Sequence, residues 1–145
     1  ECTVGFSPKG PCTNLIVGKI NAAKNEILVQ AYHITASPII EGLIRAKRRG
    51  VNVRIILDKA MTKDMEVISK FRKAHIAVAV DSHVAIAHNK VMVIDQHEVI
   101  TGSFNFTNAA QHRNAENMLI IRSKELAKIY RDNWFSRFKE SKLLH

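Results

Sequence analysis

His88 and Lys90 sit two residues apart in Ala87-His88-Asn89-Lys90-Val91-Met92-Val93-Ile94-Asp95, an otherwise largely apolar, β-branched run. A titratable ring and a cation inside such a run cost stability, which points to chemistry. A neutral imidazole attacks electrophiles and carries protons, and a lysine ammonium is the compact charge that an anionic oxygen attracts. Side chains alternate faces along a strand, so His88 and Lys90 point one way and Val91 and Val93 the other. One face is expected to be chemically active and the other buried. Asp95 has the parity opposite to His88, so it is expected to serve the turn that follows and not to orient the ring.

An H-x-K triplet alone means little, but two downstream segments extend it: Gly102-Ser103-Phe104-Asn105-Phe106-Thr107 and Asn114-Ala115-Glu116-Asn117. Together they read H-x-K-x-x-x-x-D, then G-S-x-N-x-T, then N-x-E-N. This pattern resembles the phospholipase D superfamily, and the short chain is similar to its small bacterial endonucleases of the Nuc type, which have a single H-x-K-x-x-x-x-D motif. The motif spans Val84 to Asn117, and the preceding strand and helix order suits the same fold. The resemblance implies a phosphodiesterase in which His88 attacks phosphorus and water later hydrolyses the phosphohistidine. It assigns Glu116 as the acid that fixes the imidazole tautomer, and Asp95 as a structural part of the motif. Lys90 is expected to neutralise the non-bridging oxygens, with Ser103 and Asn105 as neutral donors to them. No metal and no cofactor is implied, because two lysines would supply the charge a divalent ion supplies elsewhere.

One histidine cannot be nucleophile and acid in the same displacement. Larger superfamily members carry the motif twice, whereas this chain carries it once. A two-fold homodimer would bring two His88 residues together, one attacking and one protonating the leaving oxygen. The implied substrate is DNA, with RNA admitted, cut with little sequence preference. A phospholipase or phosphatidyl transferase using the same residues is the alternative. An inert nucleic-acid-binding module would leave His88, Lys90, Asn105 and Glu116 without a purpose.

Lys and Arg number 22 against 13 Asp and Glu, a net charge of +9, which favours a polyanionic partner. Charge alone does not choose between DNA, RNA and anionic lipid. There is no zinc finger or recognition-helix signature, so binding is expected to run through phosphates. No apolar run approaches the ~20 residues of a membrane helix, so no integral membrane association is expected. Asp95-Gln96-His97-Glu98 has metal-ligand residue types but reads as a hairpin turn facing water.

Cys2 and Cys12, the only cysteines, frame a segment with Gly5, Pro8, Gly10 and Pro11 that can turn back on itself. A local disulfide closing about ten residues and a pair of free thiols are both open, and the former requires an oxidising compartment. The resemblance implies export to the periplasm or secretion, since secreted relatives are made with leaders. A start at Glu1 without Met fits leader removal and a trimmed chain equally.

At 145 residues the chain suits one domain over 1–145, an α/β fold with a mixed, mostly parallel β-sheet flanked by helices on both faces: one phospholipase D-like half. Thr13 or Asn14 can cap a helix through Ala23. Ile27 to Ile34 reads as a central strand, with His33 near its end as a core histidine or, alternatively, one that looks into a cleft. Ser37-Pro38 opens a helix that Gly50 ends, and Val51 to Leu57 pairs in parallel through that crossover. Thr62 caps a third helix before a strand over Ile76 to Val80. Short strands follow at Val84 to Ala87, Val91 to Ile94 and Val99 to Thr101. A loop covers Phe104 to Ala110, Met118 to Ile121 is a buried strand, and Ser123 caps a final helix with Trp134 inward and Arg131, Arg137, Lys139 and Lys142 outside.

Overall fold

The computed structural model describes every residue from Glu1 to His145. The elements run β1 (Cys2–Ser7), α1 (Cys12–Ala22), β2 (Glu26–Ala31), α2 (Ser37–Arg48), β3 (Asn52–Asp58), α3 (Met65–Lys73), β4 (Ala77–Asp81), β5 (Lys90–Ile94), β6 (Glu98–Gly102), α4 (Asn108–His112), β7 (Glu116–Arg122), α5 (Lys124–Glu140) and β8 (Lys142–Leu144). All eight strands join one sheet in the order β1-β7-β6-β5-β2-β3-β4-β8. The β2–β3 and β3–β4 pairs are parallel, because α2 and α3 supply the crossovers. The other neighbours are antiparallel. The sheet is therefore mixed, as expected, but parallel pairing does not dominate. The connection from β5 to β6 is too short for a crossover, and β1 and β8 add antiparallel edges that the sequence reading did not foresee.

Helices cover both faces. Ile16, Ile20, Ile39, Leu43, Ile68 and Phe71 of α1, α2 and α3 pack on one side against Ile27, Val29, Val53, Ile55, Met92 and Ile94. Ala127 and Trp134 of α5 pack on the other against Leu28, Ile56, Val91, Val93 and Val99. Every residue of β5 is buried, so the expected division into an active and a buried face does not hold. Chemistry is confined to the end of the strand, where the ladder stops. Asp95 does serve the turn: its carboxylate accepts the backbone N–H groups of Lys24, Asn25 and Glu26 at 2.9, 2.7 and 3.0 Å. Asp95 and Gln96 both have positive φ, as a hairpin of this twist requires. Burial alone would push the Asp95 carboxyl up, but those three donors and nearby His97 together hold it below its ordinary 3.8.

Several local expectations are corrected. The Val84–Ala87 strand does not form: β8 takes the free edge of β4, and the Ala87 N–H goes instead to Asp58 Oδ1 at 2.7 Å. Thr62 lies in a 3-10 turn, Lys59–Lys63, and α3 starts after Asp64. The expected loop over Phe104 to Ala110 runs into α4, which Thr107 caps through Ala110 N. Cys2 and Cys12 are unpaired. The segment before Ser7 is extended, not folded back: Cys12 Sγ packs against Gly5, and Cys2 lies three residues further out along β1, ~10 Å away at strand rise.

Arg131 and Arg137 also differ from expectation, since both reach inward from α5. Arg131 pairs with Glu26 at 2.9 Å, and Arg137 grips Asp81 through two bonds of 2.8 and 2.9 Å. Asp81 is fully buried, and that fork gives each of its oxygens a partner. Between the two arginines, Trp134 Nε1 donates to Val29 O at 2.9 Å. Arg137→Ala should therefore lower unfolding free energy by about 3–5 kcal/mol in a denaturant titration, the usual cost of stranding one member of a buried pair. A change below 1 kcal/mol would mean that Asp81 finds another partner or is hydrated.

Candidate active site

Three strand ends meet at His88. Ala31, the last residue of β2, registers against Lys90, the first of β5, and Tyr32 N donates to Asn89 O at 3.1 Å. The His88 ring is exposed, just beyond the ladder, and lies against Tyr32 with centroids 4.7 Å apart. Lys90 is 9% exposed; its Nζ is 2.9 Å from His88 Nδ1 and 3.3 Å from Nε2, and 5.9 Å from the centre of the Tyr32 ring. An ammonium only donates, and Nζ lies within reach of both ring nitrogens, so the tautomer decides which of them faces it. An exposed imidazole and a positive charge are thus presented together, the combination that attack on a phosphate diester needs.

The G-S-x-N-x-T segment is stitched to the chain beyond β2. Phe106 N donates to His33 O, and Phe106 O accepts from Thr35 and Ala36 N. Phe104 and Phe106 are buried, which anchors the loop by its apolar side chains. Gly102 has φ near +141°, and a Cβ there would lie 2.4 Å from Asn117 O, so glycine is the residue that fits between β6 and β7. Ser103 Oγ donates to Glu116 Oε1 at 2.6 Å and accepts from Asn117 N at 3.1 Å. Asn114 Nδ2 reaches Glu116 Oε2 at 3.2 Å.

Within one chain, then, Glu116 is bonded to Ser103 and Asn114, and no hydrogen bond joins it to His88. The single hydroxyl hydrogen of Ser103 is committed to Glu116, so this arrangement leaves Ser103 no donor for a phosphate oxygen. Asn105 has its Oδ1 buried without a partner, and its amide N–H groups are committed to nothing in the chain. Burial lowers the pKa of Lys90 from 10.5, and the charge of Glu116 opposes that by raising it. Glu116 therefore acts on the ammonium as well as on the loop.

Three contributors escaped the sequence reading. Tyr32 holds the face of His88; its only signal was an aromatic residue at the end of a central apolar run. Asp58, 3% exposed at the end of β3, fixes Ala87 directly before His88. Asn114 clamps Glu116. His33 is not a core histidine: half-buried, it lines a groove beside Tyr32.

A buried lysine beside an exposed histidine stands at the open end of a mixed α/β sheet with helices on both sides, an arrangement suited to an anionic phosphate group. The family model described as the PLD-like domain of cardiolipin synthase matches residues 16–139, and the chain belongs to that family, within the phospholipase D superfamily. A phospholipase D of Rickettsia prowazekii is 45% identical over 141 residues, 97% of this chain and 69% of that protein. Among solved structures, Nuc from Salmonella typhimurium, a phospholipase D family member, matches at TM-score 0.94 and 34% identity, covering 100% of this chain and 98% of that one. NucT from Helicobacter pylori shares the fold at TM-score 0.86 and 19% identity, over 99% of this chain and 100% of that one.

Lys90 must be protonated to draw an anion, and its pKa in the free protein lies below 10.5. The alkaline limb of kcat/KM, which reports the free enzyme, should therefore fall below that value. Glu116→Gln removes the charge that raises Lys90 and should move the limb to still lower pH. A limb unmoved by the substitution would separate Glu116 from Lys90.

Proposed function

We propose that this phosphodiesterase cuts DNA, and RNA by the same chemistry, without a metal ion and with little sequence preference. The observation that carries the proposal is the exposed His88 ring held 2.9 Å from a buried ammonium on a chain of net charge +9. In the first displacement an imidazole nitrogen of His88 bonds to phosphorus while the bond to the leaving oxygen breaks. Lys90 and the Asn105 amide hold the non-bridging oxygens. In the second, water attacks the phosphohistidine, the P–N bond breaks and His88 is restored. Glu116 supports both steps through Ser103 and through the charge on Lys90.

The leaving oxygen needs a proton, and the incoming water must lose one. The partner's His88 in a two-fold dimer performs both transfers, first as imidazolium and then as imidazole. The uncovered part of the sheet supports such a pairing. Val4 and Phe6 of β1 are 51% and 65% exposed, and Phe6 and Ser7 register against Asn117 and Glu116. An apolar strip therefore runs up to the site, where a second copy would cover it. A periplasmic or secreted setting rests on the motif resemblance alone, since unpaired cysteines no longer argue for it.

Hydrolysis of a phospholipid headgroup is the second reading, favoured by the phospholipase D name of the 45% identical relative. No helix is long and apolar enough to cross a membrane, which leaves access to lipid from the surface open. Plasmid cleavage and phosphatidylcholine hydrolysis, both measured in chelator, decide between them. Nicking of plasmid with no lipid turnover is expected, and His88→Asn should abolish it. Lipid turnover without nicking would replace the nuclease proposal, and activity that only magnesium restores would remove the histidine mechanism.

Mixing tests the shared site. When wild type and His88→Asn exchange subunits at equal input, about a quarter of the dimers keep both histidines. Activity should fall toward that fraction of an all-wild-type sample at equal total protein. Retention near one half would mean that each chain works alone.

A further inference from the structure

Beside the catalytic histidine a groove of about 370 Å³ opens at the carboxyl ends of β2 and β3. His33, Thr35 and Thr107 line one side, and Ala60, Lys63 and Asp64 the other. A row of rings leads from the site to this groove. His88 lies 4.7 Å from Tyr32, and Tyr32 lies 4.3 Å from His33, all between centroids. The hydrogen bond from Phe106 N to His33 O and the bonds from Thr35 and Ala36 N to Phe106 O fix its floor to the G-S-x-N-x-T loop. A ligand held over His88 thus has its next group directed along that row.

The chemistry of the groove suits a neutral, flat, polar-edged group. Lys63 and Asp64 are adjacent and of opposite sign, so the groove adds no net charge for a second phosphate. Hydroxyls from Thr35 and Thr107, an ammonium and a carboxylate offer both donors and acceptors, which is what the edge of a heterocycle requires. The His33 ring supplies a stacking face, and stacking tolerates any base because each has a π-surface. A long acyl chain would find five polar or charged side chains there against two apolar ones, Ala60 and Met61. The volume lies within the ~300–1,000 Å³ usual for small-ligand clefts.

From this row we infer that the groove is a nucleobase subsite: the base next to the scissile phosphate stacks on His33, with its edge among Thr35, Thr107, Lys63 and Asp64. This rests on the nuclease proposal and extends it. Such a subsite raises the local concentration of single strands at His88 without reading sequence, because its main contribution is stacking.

The test is a cleavage ladder on a single-stranded oligonucleotide carrying one abasic residue. For the wild-type protein, cutting at the linkages that flank the missing base should drop about tenfold relative to distant linkages, the order of one lost stacking contact. In His33→Ala the dip should vanish, because base and gap are then treated alike. His33→Phe keeps a ring and should keep the dip, which also serves if the alanine variant folds poorly. A level wild-type ladder overturns the subsite, and so does a dip that persists in His33→Ala, since it then belongs to the altered strand. A wild-type protein that leaves every oligonucleotide intact overturns the nuclease proposal itself, and the subsite with it.

Discussion

Keeping an ammonium nearly out of water at the end of a central strand is the constraint around which this site is arranged. Lys90 begins a fully buried strand, and burial disfavours its charged form. Two features offset that: the face of Tyr32 and the charge of Glu116 across the loop. A group whose pKa falls on folding binds fewer protons in the folded state, so its cost to stability shrinks as pH rises through its folded value toward 10.5. The same desolvation strengthens the attraction of the ammonium for an arriving phosphate oxygen. Stability is given up at the position where binding of an anion restores it.

The rest of the fold holds the pieces of that arrangement in register. Asp95 pins the far end of the β5–β6 hairpin to the start of β2, so β5 cannot slide along its neighbour. A slip of one residue would turn Lys90 to the α5 side. The absence of any side chain at Gly102 lets Ser103 and Glu116 come within 2.6 Å. Arg131, Trp134 and Arg137 tie α5 to the start of β2, its middle and the end of β4.

Much of this was legible in the chain because it depends on short range. Parity separated Asp95 from His88, the linked motifs named His88, Lys90, Asn105 and Glu116, and Ser123 marked the start of α5. What was missed depends on distant partners. A helical stripe does not reveal that Arg131 and Arg137 will meet acids 105 and 56 residues away, so charge alone placed them outside. Asp58 went unmarked because its acceptor role toward Ala87 exists only once β3 and the His88 segment meet. Ser103 was read as a phosphate donor from its type and neighbourhood, yet its one hydrogen goes to Glu116. The balance of parallel and antiparallel strands was misjudged because β5 pairs antiparallel with β2 as well as with β6, and β1 and β8 add antiparallel edges, pairings between segments far apart in the chain that no local pattern announces.

The segment between β4 and β5 carries His88, the proposed nucleophile, but has no ladder of its own. Residues 82–89 are held by Asp58 on Ala87 N, by Tyr32 N on Asn89 O, by the His33–Tyr32–His88 row, and near the outer end by His83 against Glu140 at 2.9 Å. Each of these is a single contact, whereas the flanking strands are bonded on both sides. Local opening of that segment therefore costs less free energy than melting of the sheet. Heat inactivation would then begin as a reversible loosening of one short stretch, with the amides of β2, β3 and β5 still protected from exchange while the histidine has lost its aim.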